Sequence, residues 1–250
     1  YGADSLGLID NATAFAAAYA AVPVGGTLLI PAGDYLYSVF PTIKQAIKIV
    51  CLGATHRQKE ISASVRSGCR LLYTGATTAI TIQSPGGGVN LNGIAFTGIE
   101  FRPSVTGAAV DGILFDPNGV SIFGVSFTNV VIGGFGKSGV LNKEPGDTWD
   151  IGFYESNLSN ESTSTGPVIN FITGASSSGH QITIRDSYIQ SRALGIYAVV
   201  GSVRMMAGTL EPRKNIIGAL EAYSLLSPKN QQRFRFVVIG KKGWYYKQIF

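Results

Sequence analysis

Charge, sulfur and histidine are all scarce in this chain. Asp, Glu, Lys and Arg make up 14% of its 250 residues, and there are two each of Cys, Met, Trp and His. So little charge, beside 32 Gly and plentiful Val, Ile, Phe and Tyr, is unusual for a helical protein. It suits many short strands joined by tight turns. With only His56 and His180, no His/Cys cluster has metal-ligand spacing, so no metal and no other cofactor is expected. Cys51 and Cys69 lack CxxC spacing and read as small buried hydrophobes; two thiols neither demand nor exclude a disulfide. No apolar run reaches the roughly 18 residues of a membrane helix, and no signal peptide opens the chain, so no membrane partner is expected.

Nucleotide motifs are absent on inspection. Gly134-Phe-Gly136-Lys-Ser-Gly139 matches GxGxxG, but Val140-Leu141-Asn142 follows as a strand where a dinucleotide site needs a helix. The P-loop pattern fails because position 131 is Val131. Net charge is +5 and unevenly placed. Residues 1–187 carry 10 basic and 13 acidic side chains, whereas residues 188–250 carry 10 basic and 2 acidic. A solvated basic surface explains this, or an acidic partner, glycan rather than nucleic acid.

The N-terminal run is Tyr1-Gly2-Ala3-Asp4, then Asp10-Asn11-Ala12-Thr13-Ala14-Phe15, then Gly25-Gly26-Thr27-Leu28-Leu29-Ile30-Pro31-Ala32-Gly33-Asp34-Tyr35. Asp10 or Asn11 can cap a helix bearing Phe15, Tyr19 and Val22 on one face, which Pro23 ends. Two short strands flank the turn at Pro31-Ala32-Gly33-Asp34. This run resembles the opening of the pectate-lyase-like right-handed β-helix family, found in phage tailspikes and polysaccharide-degrading enzymes. The match covers residues 1–38, with Ser5-Leu6-Gly7-Leu8-Ile9 in place of the usual Gly-Asp-Gly. The resemblance implies a parallel β-helix whose N-terminal helix caps one open end, in a phage virion or, alternatively, a secreted protein. Because the chain starts at Tyr1, it also implies a missing upstream segment that joins other phage tail proteins.

A repeat of suitable length runs through the middle. Phe96–Phe101, Ile122–Phe127, Phe153–Leu158 and Ile184–Ile189 align as hexamers, spaced by 26, 31 and 31 residues. A third strand recurs at Ile113, Val140, Val168 and Ile196. Three short strands per repeat describe one coil of an all-β parallel β-helix. The expected organisation is a cap and first strands over 1–38, coils over 39–203, and a C-terminal element over 204–250. In that element Arg233–Ile239 alternates and Gly240–Gly243 turns towards Trp244-Tyr245-Tyr246, which predicts a β-hairpin. Its aromatics predict an interface, since an isolated hairpin is marginal in water, and the resemblance implies that this interface is a homotrimer's; folding over its own last coil as a monomer is the alternative.

Loops after the third strand of each coil should project along one ridge. They carry Asp116-Pro117-Asn118, then Glu144, Asp147 and Trp149, then the run ending at His180. Asp116, Glu144 and Asp147 are the candidate catalytic carboxylates, because glycoside hydrolysis needs one protonated and one ionised carboxyl about 5–10 Å apart. Trp149 would stack on a sugar ring, with His180 and Asn118 as further substrate contacts. Glu155 and Asp186 form an alternative catalytic pair, although the third hexamer position they share with Gly98 and Gly124 points to a ladder of tight turns. The resemblance implies binding and cleavage of a bacterial surface polysaccharide; a non-catalytic fibre module and a secreted lyase are the alternatives.

Overall fold

The computed structural model describes residues 1–52, 68–143, 145–160, 165–171, 180–190, 195–198, 201–210, 216–225 and 237–242. Short apolar-alternating runs form strands, and the strands form three parallel sheets. The eight-stranded sheet is β1 (Thr27–Ile30), β3 (Ile47–Cys51), β6 (Leu91–Thr97), β9 (Ser121–Thr128), β12 (Asp147–Tyr154), β15 (His180–Arg185), β18 (Gly201–Leu210) and β19 (Val237–Lys242), in that order. The six-stranded sheet runs from β2 (Gly33–Tyr37) through β4 (Cys69–Tyr73), β7 (Ile99–Pro103), β10 (Val131–Gly133) and β13 (Asn157–Ser159) to β16 (Tyr188–Gln190). The five-stranded sheet contains β5 (Thr78–Gln83), β8 (Asp111–Asp116), β11 (Val140–Asn142), β14 (Ile169–Phe171) and β17 (Ile196–Ala198). From β3 to β18 the chain visits the eight-, six- and five-stranded sheets in turn and then repeats, so each circuit adds one strand to every sheet.

Parallel strands ordinarily need a helical crossover to return the chain to its starting edge. Here the other two sheets perform that return, and their inward faces supply the core. Phe96, Phe127 and Phe153 stack up the eight-stranded sheet with ring centroids 5.0 and 4.9 Å apart. Phe115 meets Phe127 edge-on from the five-stranded sheet, and Phe101 meets Phe96 from the six-stranded one. Phe96, Phe101, Ile122, Phe127, Phe153, Leu158 and Ile184 are all buried as their spacing predicts, and Ile189 packs against the same core.

The register differs from the hexamer alignment in one coil. That alignment puts Ile122 level with Phe96, but the sheet pairs Phe96 with Phe127, Phe127 with Phe153, and Phe153 with Ile184. On the six-stranded sheet Phe101, Ile132, Leu158 and Ile189 line up. The spacings are therefore 31, 26 and 31 residues. Gly124 imitates the corner glycine Gly98 in sequence, yet it lies within β9. In the third strand Val140 pairs with Ile169 rather than Val168.

Corners between the eight- and six-stranded sheets use one left-handed residue each. Gly98, Asn129, Glu155 and Asp186 have φ of 73°, 52°, 51° and 51°. Next to them, Ser156 Oγ donates to the Tyr154 and Phe127 carbonyls and accepts from Val130 N. Ser187 repeats this one coil on, donating to the Arg185 and Phe153 carbonyls and accepting from Ser156 N. Serine hydroxyls thus satisfy the backbone where the ladder turns.

At one end, helix α1 (Ala12–Ala21) places Phe15 on Tyr35, Tyr37 and Phe40. β1 and β2 are the outermost strands of their sheets, so the helix covers an otherwise open core. Its approach is latched by the polar residues of the N-terminal run. Asn11 Nδ2 donates to the carbonyls of Asp4, Ile9 and Leu36. Asp4 accepts from the Leu8, Ile9 and Leu6 amides, and these bonds, Leu8 foremost, hold its carboxyl below the usual range. At the other end, β18 and β19 pair in parallel across helix α2 (Ile216–Ser224). The turn expected to begin at Gly240 is not there, since Gly240, Lys241 and Lys242 continue β19, and the second strand of the expected hairpin, at Trp244-Tyr245-Tyr246, lies outside the described residues; the helix supplies the crossover that the parallel pairing with β18 requires. Residues 233–236 and 243–250, which carry all the aromatics on which the trimer expectation rests, lie outside the described residues.

Candidate functional site

The corners that follow β8 and β11, between the five- and eight-stranded sheets, lie against each other. Asp147 N donates to Val120 O at 2.9 Å, and Gly119 N donates to Pro145 O at 2.9 Å, so the turn after β8 lies against the turn after β11. Asn118 sits over Gly86 of the preceding corner in a left-handed conformation, with φ of 54°. Asp116 is buried at the end of β8, where it accepts from Gln83 Nε2 at 2.9 Å and lies 3.5 Å from Lys143 Nζ. These contacts tie Asp116 into the corner. Glu144 lies outside the described residues.

Asp147 and Trp149 are not loop residues; they occupy the first and third positions of β12. Strand alternation points both outward, with buried Thr148 between them. The alternation then breaks. Trp149 and Asp150 are consecutive exposed residues before buried Ile151, and Asp150 has φ of 55°. The same kink recurs in the neighbouring strands at Gly93 and Gly124, with φ of 73° and 61°. Because these three strands kink at the same level, pairing continues on both sides: Asn92 with Phe123 with Trp149, then Ile94 with Val125 with Ile151.

This kink sets an aromatic pair on the outside of the stack. Phe123 and Trp149 are parallel, with centroids 4.4 Å apart and 12° between planes, and Trp149 is 39% exposed. Beside them the row Ala95, Ser126, Gly152, Thr183 offers a low floor. Beyond that floor stands the row Thr97, Thr128, Tyr154, Arg185, where the Tyr154 ring lies over Gly152 and the Arg185 guanidinium sits 4.9 Å from its centroid. The outer face of these strands thus carries the Phe123–Trp149 stack, the Tyr154 ring covering Gly152 with Arg185 beside it, and the exposed Asp150 and half-exposed Asp147 on the strand of Trp149. Rigid rings, hydroxyls and carboxylates in this mixture suit an amphipathic, hydroxyl-rich ligand.

His180 begins β15, and carrying the Ile151–Ile182 pairing outward puts its backbone level with Trp149. Glu155 and Asp186 sit in exposed left-handed corners at the far end of the same strands. Phe123, Asp150, Tyr154 and Arg185 have no role in the sequence argument. Aligning Leu91-Asn-Gly-Ile-Ala-Phe96 with Ile122-Phe-Gly-Val-Ser-Phe127 and Thr148-Trp-Asp-Ile-Gly-Phe153 would have placed Phe123 beside Trp149.

No family model matches the chain. Among solved structures it is similar to ORF18 of Geobacillus virus E2, with a TM-score of 0.58 and 11% identity. That likeness covers 83% of this chain and 46% of the virus protein, and at such identity it is one of fold. Among curated proteins, 37 residues are 49% identical to a stretch of O-antigen chain mannosyltransferase B from Escherichia coli. Those residues are 15% of this chain and 10% of that protein. The chain therefore spans under half of the first protein and a tenth of the second.

Proposed function

We propose that the chain is a right-handed β-helix of the phage tailspike kind that binds a bacterial surface polysaccharide along its eight-stranded sheet and cleaves it by acid/base glycoside hydrolysis. The observation that carries this reading is the exposed Phe123–Trp149 stack beside Asp147 and Asp150. The N-terminal run, the fold likeness to a virus protein and the short match to a protein named for O-antigen chains support it. In this reading the chain works on the virion, outside the host, as a homotrimer.

A sugar ring lies against the solvent-facing side of the Trp149–Phe123 stack, which sets the glycosidic bond beside Asp147 and Asp150. One carboxylic acid protonates the leaving oxygen and the other carboxylate activates water. Asp147 and Asp150 are three residues apart on one strand, about 10 Å at full extension and less across the kink. A carboxyl separation of roughly 6.5–9.5 Å would make the reaction inverting, and one of roughly 5 Å retaining. The test is incubation with a panel of capsular and O-antigen polysaccharides, followed for new reducing or unsaturated ends. New reducing ends that vanish in Asp147→Asn support hydrolysis; unsaturated ends would assign a lyase instead. Binding without either product would leave a receptor-binding module, and no binding to any glycan would overturn the proposal.

A further inference from the structure

We propose that Cys51 and Cys69 are a disulfide site that closes the base of the insertion between β3 and β4. The inference stands apart from the glycan reading. Cys51 ends β3 and Cys69 begins β4, and both thiols face the core, 7% and 0% exposed. Their positions on the stack force them together. Val50 pairs with Thr97, which puts Cys51 level with Gly98, while Cys69 pairs with Ile99. In that next coil the two positions are therefore consecutive residues, with Cα atoms about 3.8 Å apart. In the preceding coil they lie over Ile30 and Gly33, the two sides of one corner. The chain thus leaves the coil at Cys51, runs through residues 52–68, and returns at Cys69 where other coils turn at once. The Cys69 thiol is hydrogen-bonded to Cys51, and that bond, with burial, pushes its pKa up.

Such a thiol exchanges poorly once folded, because the thiolate is the nucleophile. The bond is therefore made as the coil closes. One thiolate attacks a small-molecule disulfide such as oxidised glutathione and releases one thiolate of it. The second cysteine then displaces the other half, giving the Cys51–Cys69 bond, with two protein thiols oxidised and one disulfide reduced to two thiols.

The experiment is to produce the chain in an oxidising and in a reducing bacterial cytoplasm, unfold each with an alkylating agent present, and map the peptides by mass spectrometry. The oxidised product should carry no alkylated cysteine and yield a peptide joining Cys51 to Cys69 within one chain. Closing a loop of this size should raise its melting midpoint by about 6–12 °C over the reduced product. Cys51→Ala and Cys69→Ala should melt alike in both preparations. Two alkylated cysteines in the oxidised product, or a bond between different chains, would overturn the proposal.

Discussion

Two stacks of aromatic rings climb strands β9 and β12, one on each face of the same sheet. The inner stack, Phe127 on Phe153, has centroids 4.9 Å apart and planes 10° from parallel. The outer stack, Phe123 on Trp149, has nearly the same geometry at 4.4 Å and 12°. Burial therefore does not create the stacking. Parallel in-register pairing sets each ring one strand spacing above the last, whichever way it points. What differs is what lies beyond the rings. Inside, Phe115 and the rest of the core close over Phe127, which has no exposed surface. Outside, the kink at Gly93, Gly124 and Asp150 turns two consecutive residues outward and leaves the rings facing solvent. The inner stack stabilises the fold, and the outer stack leaves apolar surface open to solvent, where the proposed glycan would bind.

Truncation should separate the two faces most sharply in stability. Phe127→Ala leaves a cavity between two stacked rings and should cost about 3–5 kcal/mol in denaturant unfolding. A loss below about 1 kcal/mol would mean that the inner stack is not closed. The kink is next. Gly124 has a φ of 61°, and a Cβ there would meet nothing nearer than Gly93 N at 3.9 Å. Gly124→Ala should therefore cost about 1–2 kcal/mol, through backbone conformation alone. A neutral result would show that the kink is not needed to splay the outer face. At the corner ladder the sign reverses: Glu155→Gly relieves a left-handed non-glycine residue and should raise stability by about 0.5–1 kcal/mol. If the same change abolished glycan cleavage, the reacting carboxylate would sit at the corner and not beside Trp149.

Much of this architecture was legible in the sequence, because inward positions repeat with the coil. Phe96, Phe101, Phe127, Phe153 and Leu158 are identifiable as core by spacing alone. The register of the coil at 122–127 was not, since Gly124 and Gly98 answer the same demand for positive φ in different places, one inside a strand and one at a corner. Partner choice for the strand at 237–242 was equally hidden, because alternation describes one strand and its pairing depends on the helix at 216–224. Of the site, Trp149 and Asp147 were visible as a polar-aromatic cluster. Phe123 was not, because an aromatic in an apolar run looks like core until the kink reverses its face. Asp116 shows the opposite limit: a carboxylate next to Pro and Asn resembles an exposed loop residue, yet Gln83 and Lys143 bind it in the corner.

The central claim is that the outer stack is a ligand platform, and Trp149→Ala tests it most directly. Titration calorimetry with a polysaccharide found in the panel, run beside thermal unfolding, should show affinity falling at least about tenfold while stability changes by about 1 kcal/mol or less. Unchanged affinity in a fully folded Trp149→Ala chain would contradict the account and move the glycan to another face.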